Sequence, residues 1–346
     1  MAETENPLPP ERPAMATVET AARLHFGFGN LSLAHERLYG SVGVALTAPR
    51  LRVEATPADA VSATDDAARE YAERAAVLLN VPGAAVTVEQ RLPRHVGLGS
   101  GTQLALAVYA AVARANGIDP DVRDAAPKLG RAGRSGVGVA GFEQGGFVVD
   151  AGHPTARFTT DRPADGEWQV PAVVARHELP EDWRFVLALP DADPGRSGDE
   201  EESSMRAVVE RADPAVADEI SGVVSRRLLP AAAEGRLSAF GDAVAEVGRL
   251  NGAWYADAQG GVYRPPVGTV VERLSDCPAV AGAGQSSWGP TVYGVTDATG
   301  VDAACESARD ALRAAGVDGD VLVARVRNEG ATVRGGVTGD PVGERP

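Results

Sequence analysis

Twelve residues, Leu92-Pro93-Arg94-His95-Val96-Gly97-Leu98-Gly99-Ser100-Gly101-Thr102-Gln103, join a segment patterned as a β-strand (Ala85 to Leu92) to an apolar stretch with helical character (Thr102 to Ala115). They narrow the choice of folds more than any other part of the chain. Glycine at 97, 99 and 101 permits a tight turn and lets a ligand come close to the main chain. A helix that starts at residue 102 aims its first, unpaired N–H groups back into the turn, and Ser100 and Thr102 add hydroxyls. A strand–turn–helix of this kind holds a phosphate or diphosphate without a lysine; a glycine-rich helix cap with no ligand is the plain alternative. It is not a Walker loop, because no Gly-Lys-Ser/Thr follows, and its spacing is a poor dinucleotide fingerprint. Gly97, Gly99, Ser100, Gly101, Thr102 and Gln103 are its candidate phosphate-binding residues.

Around this loop the patterns alternate without a regular β-α-β-α order. Val18, Thr20, Ala22, Leu24 and Phe26 repeat with the period of a strand. Ser41 to Thr47 and Leu51 to Ala55 predict two more strands. Ser62 is placed to cap a helix running to Leu79, with Asp65 and Asp66 at its positive end. A helix follows Asp121, Gly145-Gly146 leads into a strand from Phe147 to Asp150, and Trp183 to Leu189 is a further strand. Helices are expected over much of 203–251 and around 268–276 and 301–315, with a late strand from Val321 to Val326. The class is therefore α+β. A length of 346 residues suggests two domains, placed at 17–160 and 170–327 on either side of a polar stretch with Pro163. Residues 1–16 are expected to be a disordered tail and 328–346 a flexible one.

The formal charge of −15 argues against nucleic acid or anionic lipid as a bulk partner. Lys128 is the one lysine among 33 basic residues, which together with the acidic surplus points to a halophilic protein. Cys277 and Cys305 are too few for a disulfide framework or a four-ligand zinc site and are expected to be buried free thiols. The start of the chain lacks the basic and apolar regions of a signal peptide. The longest apolar run, Leu104 to Ala113, is about half a membrane span. A cytoplasmic protein is expected.

Three further segments carry candidate chemistry. Arg23 and His25 share a strand face, two residues apart, and suggest a lined pocket; Arg37 follows in the next loop. Arg131 and Arg134, in the glycine-rich run from Gly130 to Gly138, are placed to clamp a phosphate, and a solvated helix end explains them almost as well. Ala281 to Pro290 is a second loop of small residues. Glu143 and Asp150 flank Gly145-Gly146 and are the better carboxylate candidates for a metal, while Asp199 to Glu202 reads as a solvated acidic run. His153 and His177 read as surface or turn residues. Trp183, Trp254 and Trp288 read as packing, with Trp288 the one placed to meet a ring-shaped substrate.

In this order the segments resemble the GHMP superfamily of galacto-, homoserine, mevalonate and phosphomevalonate kinases. Pro93 onward is similar to its Pro-x-x-x-Gly-Leu-Gly-Ser-Ser-x-Ala loop, with Gly101 where the second Ser usually stands, and Ala281 to Gly289 is similar to its third motif. The resemblance extends to one branch, the β-ribofuranosylaminobenzene 5′-phosphate synthases, through Arg23-Leu-His-Phe-Gly27, Arg37-Leu-Tyr-Gly40, His95 to Gln103, Gly133 to Asp150 and Gly195-Arg-Ser-Gly198. It implies a two-domain GHMP-kinase-like fold. The implied activity is a decarboxylating transfer of phosphoribose from phosphoribosyl pyrophosphate to 4-hydroxybenzoate or 4-aminobenzoate, in the synthesis of methanopterin-type cofactors, by a homodimer using Mg²⁺.

On that resemblance Arg23 and His25 are the catalytic candidates, His25 acting on the para group, and the 97–102 loop takes the diphosphate. Arg131 or Arg134 grips the 5′-phosphate or the carboxylate, and Asn30, Arg37, Gly284, Gln285 and Ser286 contact substrate. Two positions depart from pattern. The Ser-Gly-x-Asp of many GHMP kinases reads Ser135-Gly136-Val137-Gly138, without the usual base, and Phe28-Gly29-Asn30 stands where the synthases commonly carry Leu-x-Asp. An ATP-dependent small-molecule kinase and a non-catalytic ligand-binding relative are the alternatives.

Overall fold

The computed structural model describes residues 14–192 and 199–336. Two long strands, β1 (Ala16–Asn30) and β2 (Arg37–Pro57), form an antiparallel ribbon at the centre of the first half. The chain continues through β3 (Ser62–Ala63), α1 (Asp66–Leu79), β4 (Ala84–Gln90), α2 (Ser100–Ala115), α3 (Val122–Lys128), α4 (Val137–Glu143), β5 (Phe147–Asp150), β6 (His153–Pro154) and β7 (Val173–His177). The second half holds β8 (Trp183–Pro190), α5 (Asp199–Val209), α6 (Pro214–Val223), a π-helical turn (Val224–Leu228), α7 (Leu229–Ala233) and α8 (Leu237–Gln259). It ends with α9 (Val267–Ser275), β9 (Gly282–Gln285), β10 (Val292–Asp297), α10 (Val301–Ala314), β11 (Gly319–Ala324) and β12 (Thr332–Gly335). The α+β expectation is met.

The first sheet runs β12-β1-β2-β4-β3, with β5 and β6 also on β2 and β7 on β5; the second runs β11-β8-β10-β9, antiparallel throughout. In β8, Phe185 and Leu187 face one cluster of buried side chains while Val186 and Ala188 face another. Burial of both faces explains why this strand reads as an unbroken apolar run. The larger cluster passes through both halves. Phe26 of β1 has Tyr293 of β10 at 5.1 Å and Phe240 of α8 at 6.2 Å, both edge-on. α2 is buried on almost every side between the sheet and α1, as its uniformly apolar sequence requires.

Several local expectations are corrected. The strands expected at 41–47 and 51–55 are one strand. The ladder shifts register there: β1 pairs with Arg50 through Ala21 and with Ala45 through Arg23, so residues 46–49 bulge out of the β1 pairing and Pro49 sits where β1 needs no N–H from it. Ser62 pairs in β3 and Asp65 caps α1, its carboxylate accepting from the Ala68 N–H at 2.9 Å. The glycine-rich run from Gly130 to Gly138 ends in the first turn of a helix not expected from the sequence, α4. Of the tail expected at 328–346, Thr332–Gly335 pairs with β1, and Asn328 bonds the backbone of Leu179. Ala16, placed in the other tail, begins β1; residues 1–13, 337–346 and the Gly195–Gly198 motif lie outside the described residues. His153 is buried, not a turn residue, with its ring stacked 3.8 Å from Phe158. Cys305 is buried and Cys277 half-buried, both free. Among the described residues no helix is long and apolar enough to cross a membrane.

Candidate active site

The site is built where three distant segments complete one strand edge. β1 is paired with β12 only from Ala16 to Glu19. Beyond that, its outward N–H groups find other acceptors. Arg23 donates to the Leu98 carbonyl at 3.1 Å, His25 to Ser286 Oγ at 3.1 Å, and Phe28 to Asn251 Oδ1 at 2.7 Å. A register shift between His25 and Gly27 changes the alternation so that 28, not 27, points outward. The buried strand edge therefore leaves none of these donors unsatisfied.

These bonds set the glycine loop. The Gly97 carbonyl accepts from Arg23 Nη1 at 2.6 Å and from Ser286 Oγ at 2.9 Å. Gly97 has φ +90°, and a Cβ there would lie 2.2 Å from the Ser286 carbonyl oxygen, so only glycine fits. Gly99 caps α2 with φ +79° and no side-chain bond to the first turn, which leaves the helix N-terminus facing a cleft of about 520 Å³. Gly97, Gly99, Ser100, Gly101, Thr102 and Arg131 all line it. Arg131 lies over the Tyr71 ring at 5.2 Å, with Nη1 3.3 Å from where a Cβ on Gly101 would stand. Arg91, Arg94 and His95 also line it; the last two belong to the glycine-loop segment, where no local pattern marks them as ligands.

Trp288 and Ser287 are shared by this cleft and a second, smaller cavity of about 30 Å³. His25, Phe28, Asn251, Tyr255 and Gln285 line the smaller one. His25 is only 3% exposed, its ring meets Phe28 edge-on at 4.7 Å, and its Nε2 has no hydrogen-bond partner among the described residues. Burial, reinforced by the nearby Arg23 guanidinium, lowers its pKa to about 3. His25 is therefore neutral at neutral pH, one ring nitrogen carrying a proton and the other a lone pair. Asn251 and Tyr255 belong to α8, which carries no recognisable motif.

Other expected site residues are placed elsewhere. Arg23 supports the loop from beneath and does not line the cleft. Gln103 is buried, accepting from Thr20 Oγ1 at 2.7 Å and donating to the Gly138 carbonyl at 2.9 Å, so it braces α2 against β1 and α4. Ala132, at φ +63°, separates Arg131 from Arg134, which turns away to Glu202 at 2.5 Å; the two do not form one clamp. Asn30 closes its own loop through Ser32 and the Arg37 carbonyl, and Arg37 donates to the carbonyls of Ala151 and Gly152. Gly284 packs beneath the Tyr293 hydroxyl, and Ser286 bridges β1 to the glycine loop.

The Mg²⁺ ligands expected from sequence are corrected. Asp150 accepts from the N–H groups of Ser41, Gly136 and Gly152, and Glu143 is held by Arg123 at 2.6 Å. Neither lines the cleft. No Asp or Glu does among the described residues, which hold no cluster of three or more metal-ligating acids, histidines or cysteines. Mg²⁺ is ordinarily held by one or two carboxylates together with substrate phosphates. The described residues do not fit a resident Mg²⁺.

Residues 61–146 match the GHMP kinases N terminal domain and residues 228–314 the GHMP kinases C terminal domain. The chain is 33% identical over 308 residues to the β-ribofuranosylphenol 5′-phosphate synthase of Methanothermobacter thermautotrophicus, covering 81% of this chain and 88% of that one. It is also 33% identical over 330 residues to the synthase of the same name from Archaeoglobus fulgidus, covering 92% and 99%. The chain belongs to the β-ribofuranosylphenol 5′-phosphate synthase family. It is an enzyme, built on the GHMP kinase fold. Homoserine kinase from Cytophaga hutchinsonii superposes with a TM-score of 0.64 at 16% identity over 95% of this chain and all of that one. Mevalonate diphosphate decarboxylase from Staphylococcus aureus gives 0.60 at 12%, over 93% and 98%. At that distance the likeness is one of fold alone. Within the synthase family fold, Gly138 stands where many kinases carry their base, and a Cβ there would lie 3.1 Å from Thr102 Cγ2, beside the glycine loop.

Proposed function

We propose that the enzyme joins the ribosyl carbon of phosphoribosyl pyrophosphate to the ring carbon that bears the carboxylate of 4-hydroxybenzoate or 4-aminobenzoate. The bond from the anomeric carbon to pyrophosphate breaks, and its electron pair leaves with the diphosphate. The ring carbon forms the new C–C bond, and the bond to the carboxylate then returns its pair to the ring as CO₂ departs. Atoms and charge balance without a further reactant.

The observation that carries this reading is the unpartnered Nε2 of buried, neutral His25 in a cavity that shares Trp288 with the glycine-loop cleft. At about 30 Å³ that cavity takes a hydroxyl or amino group, not a ring. The aromatic ring lies against Trp288, and its para group reaches His25. With a pKa near 3 the ring is neutral at neutral pH and holds one proton; in the tautomer with that proton on Nδ1, Nε2 accepts a hydrogen bond from the para group and raises electron density on its oxygen or nitrogen and on into the ring. The cleft holds the leaving diphosphate on main-chain N–H groups of the α2 N-terminus, the hydroxyls of Ser100 and Thr102, and Arg131. A kinase reaction at this site would lack a carboxylate at Gly138.

The same reading places the product among the C-ribosides of methanopterin-type cofactor synthesis and the enzyme in the cytoplasm as a homodimer. Adaptation to high salt is supported by the net charge of −15. The decisive assay supplies phosphoribosyl pyrophosphate and carboxyl-labelled 4-hydroxy- or 4-aminobenzoate in high salt, with and without Mg²⁺. Labelled CO₂ and pyrophosphate are expected in equal amounts. ATP consumption with an alcohol acceptor, and no CO₂ from either benzoate, would reject it.

A further inference from the structure

We propose that the glycine-loop cleft binds diphosphate as a bare anion, with arginine guanidiniums supplying the counter-charge that a protein-held Mg²⁺ would otherwise supply. This rests on the diphosphate reading above and concerns how the same site neutralises its ligand. The basic side chains lining the cleft are Arg91, Arg94, His95 and Arg131, without a carboxylate among the described residues. The acid adjoining this group, Asp65, caps α1 with one oxygen and pairs with Arg91 through the other, so it offsets the Arg91 charge and leaves the counter-charge beside the loop to Arg94 and Arg131. Such a lining repels a free divalent cation and attracts a polyanion.

Gly101 shows how the cation is accommodated. It is the position at which this loop departs from the Ser-Ser form of the motif. The Arg131 guanidinium occupies the space beside it, 3.3 Å from a would-be Cβ and stacked on Tyr71. A serine at 101 would crowd that guanidinium; glycine leaves it lying along the first turn of α2. A planar guanidinium there offers paired donors matched to phosphate oxygens, beside N–H groups that favour the same charge. A hydroxyl of the usual loop is thus exchanged for a fixed positive charge.

The test is calorimetric titration of the full chain with inorganic pyrophosphate, once in EDTA and once in excess Mg²⁺, at one salt concentration. Binding in EDTA is expected, with a Kd within about tenfold of the Mg²⁺ value. Arg131→Met is expected to weaken binding in EDTA by about tenfold or more, with Arg131→Lys in between. Binding seen only with Mg²⁺ overturns the metal-free site and leaves the diphosphate reading standing. Binding in neither condition overturns the diphosphate reading itself. An unchanged Kd in a folded Arg131→Met protein overturns the role of Arg131. Should that variant not fold, Gly101→Ser takes its place: weaker binding in EDTA supports the proposal, and an unchanged Kd overturns it.

Discussion

Asn251 grips both polar groups of Phe28: the Phe28 N–H donates to Oδ1 at 2.7 Å, and Nδ2 donates to the Phe28 carbonyl at 2.9 Å. One side chain from α8 thus plays the part of a neighbouring strand for a β1 residue 223 positions away. It holds the second half of the chain against the strand that carries His25. Gly27 permits the approach, since a Cβ there would lie 2.5 Å from Asn251 Nδ2.

Replacing Asn251 with Ala leaves the buried N–H and carbonyl of Phe28 without partners. The expected loss of stability is about 2–4 kcal/mol, read from denaturant unfolding. The kcat should fall as well, because His25 sits on the same strand. A variant as stable as the wild type would show that the clamp contributes nothing.

Gly97→Ala combines a φ of +90° with a Cβ 2.2 Å from the Ser286 carbonyl oxygen. The loop has to move, so pyrophosphate affinity should drop at least about tenfold, with a stability loss of about 2 kcal/mol or more. Titration calorimetry and thermal melting check the two effects separately.

His25→Ala should lower kcat by about a hundredfold, within the range for a positioned proton acceptor, while pyrophosphate affinity stays near the wild-type value. Because burial holds the wild-type pKa near 3, the kcat profile should show no acid limb near pH 6.5 from this residue. An unchanged rate with both substrates saturating would remove His25 from the reaction.

Asp150 gathers the N–H groups of Ser41, Gly136 and Gly152 and so ties β2, the start of α4 and the turn after β5. Asp150→Asn presents a donor where an acceptor is needed. Unfolding should become easier by about 2–4 kcal/mol, and added Mg²⁺ should not protect the wild type against melting through this carboxylate.

Acid should destabilise the fold well before carboxylates are fully protonated. Burial lowers His25 to about 3 and His153 to about 4, against 6.5 when unfolded. Between those values the unfolded chain binds more protons, so the stability from these two groups is complete above about pH 6.5 and declines as the pH falls toward 4. Asp150, raised by burial to about 6, works in the opposite direction over a narrower interval and does not cancel it. His153→Phe keeps a ring against Phe158 and cannot be protonated there, so its melting temperature should fall less steeply from pH 6.5 to 4. A slope equal to that of the wild type would contradict the assignment.

The glycine loop was legible because its cues are local: three glycines, two hydroxyls and an apolar helix within a dozen residues. Its true neighbours were not. Gln103 read as a ligand because polar side chains beside such a loop usually face it, and Arg23 as catalytic because it shares a strand face with His25, yet both are spent holding the loop in place. Arg131 and Arg134 read as one clamp because they lie three apart, and the left-handed Ala132 between them sends them to different neighbours. Asp150 read as a metal ligand, but three main-chain N–H groups occupy its oxygens.

From sequence alone came the α+β class, the strand–turn–helix cradle, the kinship with the synthases and the missing base at Gly138, because each depends on residue type and short spacing. Tertiary structure alone decided that Ser286 and Asn251 complete the edge of β1, that Trp288 lines both the cleft and the His25 cavity, and that no carboxylate among the described residues lines the cleft. The reason is range. A buried strand edge must find its hydrogen-bond partners wherever packing brings them, here from segments more than two hundred positions away, and no local pattern encodes which side chain arrives.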